Sequence, residues 1–134
     1  MKWAKSLIRI SNHEVETLQK RLADIVARRW ALEVQIQAIE TELQAEAEHA
    51  ASNAEAGLYL IGFREGAKLR RIRLEAAIRD LDAEELGARD ALTEAFEALK
   101  KYENVVETAK VVARKEEGRR ETAMLDELGL RKRA

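Results

Sequence analysis

The sequence predicts an all-α fold, a long antiparallel two-helix coiled-coil hairpin, and three observations support this prediction. Apolar residues recur at alternating steps of three and four along two separate runs, which matches the roughly 3.5-residue repeat of helices that wind around one another. Three glycines, Gly57, Gly62 and Gly66, lie between the two runs. The 134-residue chain contains no proline that would break either helix.

The first helix is predicted over residues 3–50. Its apolar run is interrupted once, by Arg29, and consists of Val15, Leu18, Leu22, Ile25, Leu32, Ile36, Ile39 and Leu43. Ser11 and Glu14 have the spacing of a capping box, which favours a helix start at that point. The apolar residues upstream favour either a helical extension over 3–10 or a segment that becomes ordered on a partner.

The turn is predicted over residues 51–62, starting at Ala51-Ser52-Asn53, and the second helix over residues 63–128. The second apolar run is interrupted once, by Glu85, and consists of Leu74, Ile78, Leu81, Ala88, Leu92, Ala95, Leu99, Tyr102, Val106 and Ala109. We expect a single hairpin domain over 1–134. The C-terminal tail extends past the first helix in this arrangement, and we expect it to fray until a partner binds it.

The register of the hairpin can also be predicted by matching the two interruptions with suitable neighbours. The favoured register places the long Arg29 beside the small Ala88 and Glu46 beside Arg71, while Glu85 faces a leucine. A register shifted by seven residues would place Arg29 and Glu85 against apolar side chains, which is less favourable. We therefore expect the first of these two registers.

Composition argues against an enzyme. Charged residues make up 37% of the chain and aromatic residues only 4%, which is typical of a rod with a thin core. The chain has no cysteine, and its two histidines, His13 and His49, are far apart, so neither a thiol nucleophile nor a metal site is expected. Paired glutamates on a helix surface are solvated by default and lie in no cleft. We expect no catalytic residues, no cofactor and no bound metal.

The charge distribution indicates which partners the chain could bind. Residues 1–30 carry a net charge of +4, residues 110–134 carry +3 and the segment between them carries −8. A hairpin brings the two basic ends together, and such an end suits an acidic protein partner. Nucleic-acid binding is not expected, because acidic residues interrupt the basic ones and no exposed aromatic row accompanies them. No apolar run is long enough to span a membrane, so we expect a cytoplasmic protein without direct membrane insertion.

Two groups of apolar residues are candidates for protein contacts. Trp3 lies near the end of the rod, where it is buried either against the second helix or in a partner. The densest apolar stretch, residues 58–63, lies at the predicted turn, where little of the hairpin can cover it. It is either an exposed interface or a self-packed turn.

These features resemble the FliJ family of flagellar type III export proteins, and they are similar to the YscO stalk proteins of injectisomes. The shared features are a short basic N-terminus, two heptad helices, a glycine-containing connector and a longer second helix with a charged tail. Local similarity is carried by Gln35 followed by Ile39, by Phe63, and by Leu125-Asp126-Glu127-Leu128. The resemblance covers nearly the whole chain.

The resemblance implies a coiled-coil stalk similar to the central subunit of rotary ATPases. In this family the terminal end is thought to enter the hexameric ring of the flagellar export ATPase and to promote ring assembly and ATP hydrolysis. The shaft and turn contact the cytoplasmic domain of the export gate, and some members bind export chaperones. The ATPase-binding tip would comprise Trp3, Leu7, Ile8, Ile10, Arg114, Lys115 and Arg119.

By the same resemblance, Gln35 and Phe63 would face the export gate. The chain departs from the family at this surface, since aromatic family positions after Gln35 fall on Glu42 and Glu46. We expect a non-enzymatic component that is monomeric when free and peripherally associated with the inner membrane at the flagellar base. The alternative is a self-associating coiled-coil scaffold or adaptor with no link to an ATPase.

Overall fold

The computed structural model describes residues 2–133 and consists of two α-helices in that range. Helix α1 spans Lys2–Ala51 and helix α2 spans Ala54–Arg133. The described residues contain no strand, and the two helices pack against each other as a hairpin. The predicted all-α hairpin is therefore confirmed.

The turn between the helices is only two residues long, Ser52 and Asn53. The Ser52 amide and hydroxyl donate to the carbonyl oxygen of His49 at 3.2 and 2.9 Å, which satisfies the end of α1. The Asn53 side-chain oxygen accepts a hydrogen bond from the Glu55 amide at 3.0 Å and so caps the start of α2. Helix α2 consequently starts nine residues before the predicted position, and the expected turn over 51–62 is too long.

The glycines that suggested the longer turn lie inside α2. No glycine in the described range has a positive φ, and a Cβ atom added to Gly57, Gly62 or Gly66 would meet no atom within 4 Å. These positions therefore do not require glycine for a turn or a close approach. Glycine at these positions lowers the stability of the helix, which forms nevertheless because the neighbouring residues and the Asn53 cap favour it.

The chain forms two compact units, each with residues from both helices. One unit comprises residues 17–92 and includes the turn; its buried apolar residues are Ile25, Ile39, Leu60, Ala67 and Ala88. The other comprises the described parts of residues 1–16 and 93–134; its buried residues are Ala4, Ser11, Val15, Ala95 and Leu99.

Both apolar runs form the packed faces of the helices. Every member of the two runs is buried or half-buried, as are the interrupting residues Arg29 and Glu85. The same spacing continues upstream of Val15 through the buried Ser11 and Ala4. The helical extension over 3–10 is confirmed, whereas Ser11 lies within α1 and does not cap its start.

The register differs from the predicted one because the two interruptions pair with each other. The Arg29 guanidinium hydrogen-bonds to the Glu85 carboxylate and to Asp82 at 3.1 Å. Glu85 lies three positions before Ala88, the neighbour that the sequence favoured for Arg29. Arg71 likewise pairs with Glu40 at 3.0 Å, six positions before the expected Glu46. A buried carboxylate is costly without a cationic partner, and this register supplies one.

The last part of α2 is helical yet exposed. All side chains from Lys110 to Lys132 are exposed, and the helix continues without a break to Arg133. The structure thus shows a helix where the sequence led us to expect fraying. Residues of high helix propensity and an ion pair one turn apart, Glu127 with Arg131 at 3.5 Å, favour this conformation.

Candidate protein-binding surfaces

The first surface is an open groove between α1 and α2 in the unit that contains the turn. We name it the Gln35 groove; it is lined by Gln35, Ala38, Ile39, Glu42, Arg70, Arg73 and Leu74. The buried Ile39 and the half-buried Leu74 supply its apolar part. Glu42 and Arg70 approach each other at 3.8 Å. The groove combines a small apolar floor with charged walls, which suits a protein segment that is both apolar and polar.

Phe63 is not among the residues that line the Gln35 groove. It is half-buried on α2, seven residues before Arg70, which corresponds to about 10 Å along the helix. Its ring packs against Tyr59, with centroids 6.3 Å apart and planes inclined by 32°. The structure therefore places the two expected gate-facing residues in the same unit but not in one groove.

The second surface is the exposed side of α2 next to the turn. The sequence left open whether residues 58–63 pack on themselves, and the structure divides them, with Leu60 buried, Phe63 half-buried and Tyr59 65% exposed. Four large aliphatic residues share the exposed side, and we call them the α2 outer stripe: Leu58, Ile61, Leu69 and Ile72, which are 76%, 64%, 56% and 50% exposed. Leu58 and Ile61 belong to the apolar stretch predicted from the sequence as a candidate contact, whereas Leu69 and Ile72 were not predicted. Their spacing of three residues on one face was the available signal.

The third surface lies in the unit that contains the chain ends. Trp3 is 58% exposed, so it is not buried against α2, and Ile10 is 63% exposed. Leu7 and Ile8 are half-buried. Of the two alternatives for Trp3, only a contact with a partner would bury the indole.

A groove between α2 and the first turns of α1 was not predicted from the sequence. Lys5 on α1 lines it together with Val106, Ala109, Lys110 and Ala113 on α2. The small side chains at 109 and 113 leave room between the helices, and lysines lie at its edges. A basic groove with an apolar floor suits an acidic, partly apolar protein segment. The small residues at the end of the second apolar run were the signal for this groove.

The basic residues expected at the tip lie on α2 just beyond this groove. Arg114 pairs with Glu107 at 3.6 Å, and both side chains are exposed. Lys115 and Arg119 line a shallow depression on the exposed C-terminal segment, together with Gly118, Thr122, Ala123 and Asp126. The groove at Lys5 ends at Ala113. The first turns of α1 therefore lie beside the part of α2 that immediately precedes Arg114, Lys115 and Arg119.

Glu85 and Arg29, two ionisable groups with perturbed pKa values, lie in an ion-paired layer of the hairpin. The hydrogen bond from Arg89 at 3.1 Å is the main cause that lowers the pKa of Glu85, and Arg29 contributes further. Hydrogen bonds to Asp82 and Glu85 raise the pKa of Arg29. These charges join the two helices across one layer, where no cleft would admit a substrate.

Residues 2–133 contain no group of three or more His, Cys, Asp or Glu residues that could hold a metal ion. Neither α1 nor α2, as described, has a stretch that is long and apolar enough to cross a membrane.

Two curated proteins are similar to this chain over nearly its full length. Both are named "Flagellar FliJ protein" and come from two strains of Caulobacter vibrioides, NA1000 / CB15N and ATCC 19089 / CIP 103742 / CB 15. Each is 55% identical over 133 residues, which cover 99% of this chain and 96% of the relative. No family model matches the chain, and no solved structure matches it.

Proposed function

Because this chain belongs to the flagellar FliJ family, we propose that it is a non-enzymatic stalk of the flagellar type III export apparatus. In this proposal it couples the export ATPase to the export gate. The observation that supports it most is the division of the surface: exposed apolar and basic groups at the chain ends, and a separate groove near the turn. A coupling protein needs two such distinct contacts.

The chain-end unit is the proposed ATPase contact. Trp3 and Ile10 are exposed aromatic and aliphatic anchors, and Lys5 and Lys110 border a groove that an acidic segment would complement. Leu7 and Ile8 support these anchors from half-buried positions, and Arg114, Lys115 and Arg119 add cations. Insertion of this unit into the ATPase hexamer would bury the indole and promote ring assembly and ATP hydrolysis.

The unit that contains the turn is the proposed gate contact. The Gln35 groove offers a charged, partly apolar surface, and Phe63 offers a half-exposed aromatic face beside Tyr59. Because the two are about 10 Å apart along α2, the gate's cytoplasmic domain would contact them as two neighbouring points. This contact would hold the protein peripherally at the inner membrane, while export chaperones are additional proposed partners.

The decisive experiment is a titration of the cognate export ATPase with this protein, following ATP hydrolysis and, in parallel, the mass of the ring. We expect saturable stimulation at about one chain per ATPase hexamer. The matched variants are Trp3→Asp and Trp30→Asp, since Trp30 is 66% exposed but lies in the unit with the turn. Trp3→Asp should abolish stimulation and Trp30→Asp should retain it, with unchanged helicity in both. Stimulation by a folded Trp3→Asp protein would exclude tip insertion.

A self-associating scaffold is the second candidate, and the exposed apolar residues of the C-terminal segment favour it. Met124, Leu125 and Leu128 are 65%, 68% and 53% exposed and lie on one side of α2. Self-association through them would give a dimer or a larger bundle. Light scattering distinguishes the candidates, because the stalk has the mass of one chain when free, whereas the scaffold has a multiple of it.

A further inference from the structure

The α2 outer stripe is not used by either contact proposed above. At about 100° per residue, its four aliphatic residues lie on the side of α2 opposite Leu60 and Ala67, which are buried against α1. The stripe therefore faces away from the hairpin core. Four large aliphatic side chains that are all at least half exposed on one face indicate a contact surface.

Basic side chains border this stripe on both sides. Residues 64–73 contain five Lys or Arg residues and a single Glu. Arg64 and Lys68 lie along one border and Arg73 along the other, and none of the three has an ion-pair partner among the described residues. Arg70 and Arg71 already form ion pairs, with Glu42 and Glu40 on α1 respectively. Arg64 and Lys68 next to the stripe thus remain available for an external anion, whereas Arg73 also lines the Gln35 groove.

The α1 side of the same unit has the opposite charge. Residues 40–48 contain four Glu and no Lys or Arg. Two of these glutamates accept the α2 arginines, and the others add negative charge on the side away from the stripe. A flat anionic surface would therefore attract the α2 side and repel the α1 side, which gives a defined orientation.

We infer that the α2 outer stripe lies on the surface of an anionic lipid bilayer, with α2 parallel to the membrane plane. An apolar stripe with cations on both borders is the pattern of helices that lie in the headgroup region. A second copy of this chain fits less well, because identical basic borders would face each other. The contact is shallow, since Glu65 lies within the stripe and a carboxylate is costly in hydrocarbon.

The test uses the purified full-length chain and needs neither the ATPase nor the gate, so its result is independent of the function proposed above. Flotation measures binding to phosphatidylcholine vesicles with and without phosphatidylglycerol. We expect binding only to the anionic vesicles, with an affinity that falls as salt is added. Absence of binding by the folded chain would overturn the inference and leave an acidic protein as the partner of the stripe. Equal binding to both vesicle types would also overturn it.

Matched variants locate the contact. Leu69→Ser with Ile72→Ser should weaken binding by about tenfold or more, because the buried apolar area determines the affinity. Leu86→Ser is the control, since Leu86 is 65% exposed on α2 outside the stripe. Glu65→Gln should strengthen binding. Weaker binding by Glu65→Gln, or equal binding by the stripe and control variants, would overturn the inference.

Charge variants and a fluorescent probe complete the test. Arg64→Gln and Lys68→Gln should each weaken binding by about fivefold, while Lys101→Gln, in the other unit, should not. The chain has no cysteine, so Ile61→Cys and Leu86→Cys each provide a unique site for an environment-sensitive dye. Anionic vesicles should shift the emission of the dye at 61 to the blue and leave that at 86 unchanged. The reverse pattern would place the contact elsewhere and overturn the inference.

Discussion

At the scale of single residues, the interaction of Arg29 with Glu85 is the most informative feature. Each residue alone interrupts an apolar run, and each would be unfavourable in a coiled-coil core without a partner. Together they form a polar layer that also includes Asp82 and Arg89. Because a shift of the register would separate them, this layer helps to define how the two helices align. The heptad pattern locates both residues, but only their mutual distance shows that they are partners.

Substitution of Glu85 tests this layer through pH. The pKa of Glu85 is lowered in the folded chain, so its carboxylate contributes stability that is present above the unfolded value, about 4.3, and is lost as the pH falls through the lower folded value. Hydrogen bonds to Asp82 and Glu85 raise the pKa of Arg29, so its guanidinium remains charged throughout this range. We expect urea unfolding to show a smaller loss of stability on acidification for Glu85→Gln than for the wild type. The control Glu84→Gln, at an exposed position, should behave as the wild type does. Parallel acid dependence of all three proteins would contradict a role for the Glu85 carboxylate.

Phe63 tests the gate contact at the same scale. Because an aspartate cannot replace an aromatic anchor, we expect Phe63→Asp to weaken binding to the gate's cytoplasmic domain by about tenfold and to leave ATPase stimulation unchanged. Calorimetric titration measures the affinity, and circular dichroism checks that helicity is retained. Phe96→Asp is the matched control, since Phe96 is 41% exposed on α2 in the other unit. An unchanged affinity for Phe63→Asp would remove this residue from the contact.

At the scale of the elements, the boundaries of α2 show what local sequence signals can and cannot predict. Gly57 and Gly62 suggested a long turn, yet Asn53 caps a helix that runs through both of them. Asn53 was predicted as part of the turn and was not identified as a cap, and the predicted turn was too long because glycine permits a turn without requiring one. The packed faces of the two helices were predicted correctly from the apolar runs, since the 3.5-residue spacing of these runs extends over many turns. The grooves were not predicted, because they depend on the register of the two helices and the predicted register was wrong.

Replacement of the α2 glycines measures how much they lower the stability of the helix. An added Cβ meets no atom at Gly62 or Gly66, and alanine favours the helix over glycine. Gly62→Ala and Gly66→Ala should each raise the free energy of unfolding by about 0.5–1 kcal/mol. The reverse substitution at an exposed α2 position, Ala83→Gly, should lower it by a similar amount. Urea unfolding followed by circular dichroism gives these values, and a loss of stability in the alanine variants would show that the glycines have a structural role.

At the scale of the whole molecule, the chain separates residues that hold the hairpin together from residues that are available to partners. All described side chains beyond Ala109 are exposed, up to residue 132, so none of them belongs to the buried core of the hairpin. Truncation of this segment should therefore change partner binding and leave the free energy of unfolding nearly unchanged.

Deletion of residues 115–134 is the corresponding test. Because no described side chain in this segment is buried, the free energy of unfolding should change by less than about 0.5 kcal/mol. Stimulation of the export ATPase should fall, since Lys115 and Arg119 are removed from the proposed tip. Urea unfolding and ATP hydrolysis are measured on the same preparation. A large loss of stability would show that the segment packs against the hairpin, and undiminished stimulation would exclude it from the tip.

The two-residue turn at Ser52 and Asn53 has a consequence for how the unit that contains it folds. Contacts beside the turn join residues that are close in sequence, whereas Arg29 and Glu85 are separated by 56 positions. The entropy lost on closing a loop increases with its length, so contacts next to the turn are the least costly to form first. Each helical turn that forms then shortens the remaining loop for the next pair. The nucleus of this unit should therefore lie at the turn, and pairing should propagate from there towards residues 17 and 92.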